Sequence, residues 1–515
     1  MRHRPAPTAK KRPARNEDGA RDGGYVLATM ALVLIPLLLF TAFAVDVGGW
    51  YARGAKLQRA ADAAALAGAA RMPDFPAAKT LAETTARLNG IVDSSTIDID
   101  VTQGANDRQI RVTITDRNVA QFLSQIVLDN MTIVRSSIAE FVLPVPLGSP
   151  ENYFGNDPTR PGPFVQPGLW GNIHGPQTDN AKGDRYAAGC RGTTGCGAKT
   201  TEYTGSYVYA IDVPAGGTSN LQVQIYDAGM YHRTNEQTET GDTRYSLGGQ
   251  ETEWEMFYKD GTPLDASDNI TNHSMAVGGP AAERCQVGTP GIFTIAQEAS
   301  ASTYKNRWAT ICQLSTAPEG RYYLRVTTTG DGDFANRYSL RVLPTTGNRI
   351  SAYNSMSMFN NSLLTTPSFY LAQVLPVHQG KALIVNLYDP GEIGTDNAKM
   401  LIQRPDATGA GVTTAPKCKL SVFNNPTDTT PASTTVLAPC SITTTSGSGV
   451  ALYASKLLKI EIVLGAADLG APYTCTTCWW KVRYDLGTVT LGDAPADTTT
   501  WSAAIKGDPV HLINE

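Results

Sequence analysis

Eight cysteines, six histidines and a few turn-borne aspartates are the residues whose types could carry chemistry in this chain. The histidines (His3, His174, His232, His273, His378 and His511) lie far apart, and no His-Glu-x-x-His or other ligand spacing joins them. Hydrolysis at a zinc ion therefore lacks its signature. No Gly-x-Ser-x-Gly elbow, Walker loop or dinucleotide fingerprint occurs. Asp227 and Asp389 follow similar strand patterns, and Asp331-Gly332-Asp333 sits in a turn. Paired acidic loops can hold calcium through oxygen ligands. Aspartate in a turn more often hydrogen-bonds local backbone, and that reading is preferred here.

The cysteines are Cys190, Cys196, Cys285, Cys312, Cys418, Cys440, Cys475 and Cys478. Cys475-Thr-Thr-Cys478 has the spacing of a redox pair or of half a metal site. A redox pair needs a thiolate favoured at a helix N-terminus, and this one runs into the strand pattern at Trp479. A zinc site needs two further ligands at suitable spacing. A structural disulfide across a turn is the better reading. No catalytic residue, cofactor or metal ligand is assigned, and the chain is not expected to be an enzyme. An exported hydrolase remains an alternative, because the members of a triad need not be close in sequence.

The elements that carry these residues begin with a single long apolar run. No charged residue interrupts Tyr25 to Val45. At a rise of ~1.5 Å per residue it spans a hydrocarbon core of ~30 Å. Asp46, Trp50 and Tyr51 follow, and are expected at the membrane–water interface. Upstream, Arg2, Arg4, Lys10, Lys11, Arg12, Arg15 and Arg21 outnumber Glu17, Asp18 and Asp22. Positive flanks stay in the cytoplasm, so the N-terminus is expected inside and the bulk of the chain outside. Ala42-Phe43-Ala44 also has the form of a signal-peptidase site, so removal of the segment stays open. Every cysteine follows the run, and an even count on an exported chain reads as a disulfide set. A net charge of −4 over 515 residues argues against a nucleic-acid surface.

Beyond the run, Val45-Asp-Val-Gly-Gly-Trp-Tyr-Ala-Arg53 leads into Leu57-Gln-Arg-Ala-Ala-Asp-Ala-Ala-Ala-Leu-Ala-Gly-Ala-Ala70. Alanine favours helix, and Met72-Pro73 supplies a stop. Ala61, Ala65 and Gly68 form a small-residue seam where a partner helix could approach closely. Arg53, Lys56 and Arg59 lie along one side and suit water or headgroups. A plain stalk lifting the ectodomain is the blander reading. From about Gly24 to Ala70 the string closely resembles the N-terminal segment of the TadE/TadG-like proteins of the Flp (Tad) type IVb pilus system. The resemblance covers about a tenth of the chain. It implies a membrane-anchored pilus-assembly or minor-pilin-like component acting through protein–protein contacts with other pilus or envelope proteins. Two features depart from such proteins. Thr29 stands where a processed pilin has glutamate five residues after Gly24, and Asp265-Ala-Ser-Asp268 fails the Asp-x-Ser-x-Ser of a von Willebrand A metal site.

The expected fold is multidomain: a transmembrane helix, a small α+β pilin-like module, then two repeated antiparallel β-sandwiches. The expected divisions are a cytoplasmic tail (1–24), the span with its helical extension (25–72), the α+β module (73–145), sandwich one (146–346) and sandwich two (347–515). In the module, a helix over Ala77–Asn89 closes at Asn89-Gly90. Alternating strands follow over Thr96–Val101 and Gln109–Ile114, then a short helix near Val119–Val127 and a strand over Met131–Phe141. Leu143-Pro-Val-Pro-Leu-Gly-Ser-Pro150 breaks the pattern. Beyond it, Leu221-Gln-Val-Gln-Ile-Tyr-Asp227 recurs at a constant offset as Leu383-Ile-Val-Asn-Leu-Tyr-Asp389. Each copy then carries a cysteine pair, so local bridges 190–196, 285–312, 418–440 and 475–478 are expected. Each copy is expected to end in paired strands, Tyr322–Thr327 with Tyr338–Val342, and Leu457–Val463 with Trp479–Tyr484. The pattern weakly resembles jelly-roll or pre-peptidase C-terminal modules, which implies a surface adhesin or carbohydrate-binding protein as a further alternative.

Overall fold

The computed structural model describes residues 19–72, 75–105, 108–122, 124, 130–142, 144–159, 168–175, 178–186, 206–227, 240–244, 250–258, 263–264, 292–296, 304–330, 333–405, 415–487, 496–506 and 510–513. Cys190, Cys196, Cys285 and residues 123 and 125–127 of the helix expected near 119–127 lie outside these residues, and Val119, at its expected start, is the last residue of a strand. Two compact units divide the chain, Met1–Phe141 together with Val510–Glu515, and Val142–Pro509.

The first unit is built on one continuous helix, α1 (Gly19–Ala69), with Pro36 inside it. Its apolar part is bare of protein contacts. Leu27, Leu32, Ile35 and Phe40 are all exposed, as an element surrounded by lipid would be. Beyond Asp46 the pattern changes. Leu57, Ala60, Ala61, Ala64, Ala65, Gly68 and Ala69 are buried, a spacing of three and four that defines one helical face. That face meets α2 (Phe75–Leu88), whose buried Ala78, Ala82 and Ala86 recur every fourth residue. Helix α2 ends on Gly90 at φ +75°. Ile91 N–H donates to Ala86 O at 3.1 Å and Gly90 N–H to Arg87 O at 3.0 Å, the paired bonds of a Schellman cap.

The sheet behind the helices contains β1 (Ile97–Gln103), β2 (Gln109–Val119) and β3 (Met131–Phe141). All neighbours are antiparallel, and the order is β1-β2-β3-β25. Strand β25 (Val510–Ile513) comes from the far end of the chain, with Val510 opposite Phe141 and Ile513 opposite Ile138. The division expected at 347–515 is corrected here, because these last residues complete the first unit's sheet. The physical reason is an open β3 edge that an apolar strand can cover, with Val510 packing against the unit's core. Residues 142–509 are thereby inserted between two adjacent strands.

The second unit is antiparallel β throughout its named strands. One sheet runs β10 (Ile292–Ala296), β9 (Gln250–Tyr258), β12 (Gly320–Gly330), β6 (Ser206–Val213), β14 (Arg349–Tyr353). Another runs β16 (Ser368–Gln373), β23 (Trp479–Asp485), β18 (Lys399–Gln403), β21 (Ser441–Thr443). The largest begins β11 (Trp308–Ala317), β7 (Thr218–Tyr226), β13 (Phe334–Leu343), β5 (Leu169–His174), β15 (Ser355–Asn360). It continues β24 (Asp497–Ile505), β17 (Ala382–Tyr388), β22 (Leu457–Val463), β19 (Cys418–Phe423), β20 (Ser433–Leu437). The short β4 (Tyr153–Phe154) and β8 (Thr243–Arg244) pair with β13. A four-residue helix, α3 (Ala466–Leu469), follows β22.

The recurring segments have matching neighbours. β7 lies between β11 and β13, and β17 between β22 and β24. β6 pairs with β12, and β16 pairs with β23. A single buried cluster takes residues from all three sheets, among them Ile211, Val223, Leu324, Leu371, Val385 and Val482. The pairing of β12 with β13, and of β22 with β23, does not occur. In each case the consecutive strands lie in different sheets. Local alternation marks a strand but not its partner, and here β6, β7, β16 and β17 compete successfully for the later strands.

Candidate anchoring and packing site of the N-terminal helix

Asp46, Trp50 and Tyr51 have three different environments. Tyr51 is 82% exposed. Trp50 is half-buried against the core of the first unit and meets Phe43 edge-on at 6.2 Å. Asp46 does not face water. It is buried, and its carboxylate accepts from the backbone N–H groups of Phe122 at 2.6 Å and Ser124 at 2.8 Å. Asp46, which the sequence places at the membrane interface, thus turns into the protein there, because a carboxylate gains charge-assisted bonds from the backbone donors of the loop.

One turn and three residues further, Arg53 pairs with Asp116 through Nε at 2.8 Å and Nη2 at 2.7 Å. Asp116 is almost wholly buried, so Arg53 is committed to β2 rather than to headgroups. Lys56 and Arg59 stay exposed. Gln58 continues the line, donating to Asp62 at 2.8 Å and to Ser136 O at 3.1 Å.

Ala61, Ala65 and Gly68 do form a packing seam, but this chain fills it. A Cβ at Gly68 would stand 2.8 Å from Ile110 Cδ1, 3.0 Å from Ala78 O and 3.1 Å from Ala82 Cβ. Small residues on both helices bring the α2 backbone against α1, which leaves no room there for a partner helix. The composition signalled a close approach and did not signal whose helix would make it.

Asp227 and Asp389 sit in matched settings, but the backbone their carboxylates hold lies 79 and 66 residues further on rather than in their own turns. Both are fully buried at φ +57°. Asp227 N–H donates to Arg307 O, and Asp389 N–H to Lys456 O, each at 3.0 Å. Their carboxylates accept from Asn306 N–H (3.1 Å) and from Ser455 N–H. Asp389 also belongs to a carboxyl group cluster that sequence reading missed, with Glu392 and Asp497. Burial, then Asp497 and Asp389, push Glu392 up to about 10. Burial raises Asp497 to about 6, against hydrogen bonds from Glu392, Gly391 and Tyr484. Such a group shares protons rather than charge. Among the described residues no three His, Cys, Asp or Glu side chains are arranged to hold a metal ion.

His174 is the other buried titratable group of note. Burial and the nearby Arg337 and Lys182 hold it well below its ordinary pKa, hence neutral. Asp184, which accepts its backbone N–H at 3.1 Å, is pushed up to about 6 by burial. Two of the four expected bridges fall within the described residues and are formed, Cys418–Cys440 and Cys475–Cys478. Cys312 is also disulfide-bonded, and its expected partner Cys285 lies outside the described residues.

Residues 24–71 match the family described as putative Flp pilus-assembly TadE/G-like. No curated protein matches the chain. Among solved structures, the N-terminal CBM22-1-CBM22-2 tandem domain from Paenibacillus barcinonensis Xyn10C is 9% identical, with 80% of this chain and 92% of that one covered at a TM-score of 0.13. The Macrobrachium rosenbergii nodavirus structure is 8% identical, with 81% and 93% covered at a TM-score of 0.09.

Proposed function

We propose that this chain is a membrane-anchored pilus-assembly or minor-pilin-like envelope protein that acts through protein contacts rather than catalysis. The observation that carries this reading is coincidence: the matched stretch, 24–71, is α1 itself, both its bare apolar part and its packed extension. The N-terminus is cytoplasmic in this reading, the bulk of the chain is extracytoplasmic, and the system is of the type IVb class. The formed disulfides support an oxidising compartment. Residues 73–145 with β25 act as a pilin-like module. The second unit is a duplicated β-sandwich pair that presents a binding or spacer surface, as the matching strand neighbours support.

Since α2 fills the seam, partner helices meet α1 along its bare part before Asp46. Crosslinkers placed at exposed positions such as Leu34 and Leu38 should capture pilus or other envelope proteins in intact membranes. Fractionation with N-terminal sequencing should find the full chain in the membrane. A soluble mature chain beginning at Val45 would overturn the reading.

A further inference from the structure

The carboxylate of Asp46 fixes more than the end of the apolar run. It binds two successive-but-one backbone N–H groups of the loop after β2, those of Phe122 and Ser124, at 2.6 and 2.8 Å. The backbone of Phe122 is thus held within one short side chain of the helix at the level where the apolar run stops. Val119 before Phe122 and Ser124 after it are both buried. Phe122 itself is 69% exposed. On α1, within five residues of Asp46, Phe43, Val45, Val47 and Tyr51 are exposed too. An exposed aromatic pinned beside the end of a span lies where rings favour the boundary between headgroups and acyl chains.

We infer that Phe122 is a second membrane contact: the Asp46 clamp seats it in the lipid interface, so that the first unit is fixed on the bilayer at two points instead of swivelling on α1. The occupant of this surface is lipid, a choice carried by its continuity with the bare apolar part of α1. The inference rests on the anchor reading of α1.

The test uses the full-length protein in vesicles of phosphatidylethanolamine and phosphatidylglycerol. An environment-sensitive dye is attached in separate variants to Phe122→Cys, to Leu34→Cys in the span and to Ala70→Cys. Ala70 is exposed and lies ~36 Å beyond Asp46 along α1 at ~1.5 Å per residue. Lipids carrying a quencher near the headgroup or deep in the chains report depth. The expected result is loss of emission at position 122 with the shallow quencher, at position 34 with the deep one, and at position 70 with neither. Asp46→Ala in the Phe122→Cys chain should restore emission by releasing the loop. Quenching at 34 with none at 122 overturns the inference and leaves the anchor standing. Absence of quenching at 34 removes both.

Discussion

At the scale of single residues, two ionisable groups, buried His174 and the more open Glu392, make the second unit's stability depend on pH in opposite senses. His174 is neutral when folded, whereas its unfolded counterpart takes up a proton below 6.5. Stability from this group is therefore full above 6.5 and falls as the pH drops, by up to ~1.4 kcal/mol per pH unit. Glu392 runs the other way. Its folded value of about 10 lies above the ordinary 4.5, so its contribution is full below 4.5 and is lost as the pH rises towards 10. Replacing Glu392 with Gln imitates the protonated acid. The variant should be more stable than wild type at pH 7 by about 1 kcal/mol, a figure kept small because the loop is open to water. Denaturant unfolding at a series of pH values checks this, and the advantage should vanish near 4.5. For His174→Gln, the stability difference from wild type should shift in the variant's favour as the pH falls below 6.5. A difference that is flat with pH would mean that the folded imidazole takes up its proton just as the unfolded one does.

At the scale of elements, the helices and strands of the first unit were largely legible. Alanine spacing, Asn89-Gly90 and the alternation over 109–114 each act within a few residues of where they are read. β3 spans Met131–Phe141 as expected. What the sequence leaves open is the partner of each element. Ala61, Ala65 and Gly68 announce a close approach, but identical chemistry would serve a foreign helix or α2. The same holds for β12 and β13, whose alternation is satisfied in either sheet. Asp46 and Arg53 read as interface charges because nothing local shows that Phe122, Ser124 and Asp116 will reach them. These assignments give α1 a sharp test. Gly68→Ala places a Cβ against the fixed carbonyl of Ala78, and Gly68→Leu adds bulk beside Ile110. The leucine variant should cost about 1–3 kcal/mol and loosen α2 from α1 despite its better helix propensity. Hydrogen exchange along 75–88 measures it, and unchanged protection would show that the two helices do not pack as described. In the second unit, Cys418 and Cys440 join β19 to the segment ahead of β21. Cys440→Ser with Cys418→Ser should lower stability by ~2–5 kcal/mol. Equal unfolding midpoints with and without reductant in wild type would contradict that.

At the scale of the whole molecule, the feature no local signal announces is the return of β25. A four-residue strand, Val-His-Leu-Ile, carries little periodic information, and its partner lies hundreds of positions upstream. Removing residues 510–515 should expose the β3 edge, raise protease sensitivity across 97–141 and leave the second unit's melting transition in place. Loss of that second transition would show that the two units do not fold independently. The insertion also has a mechanical side. The chain leaves β3 at Phe141 and re-enters at Val510, on the same rung. Tension on the inserted body draws both strand ends the same way, so their mutual ladder is neither peeled nor slid. The load is split between two moorings and passes in shear to β2, along the rungs from Gln109 opposite Glu140 to Val119 opposite Met131. A single protease cut in an exposed loop between 142 and 509 leaves both fragments tied to the anchored unit, one through each strand.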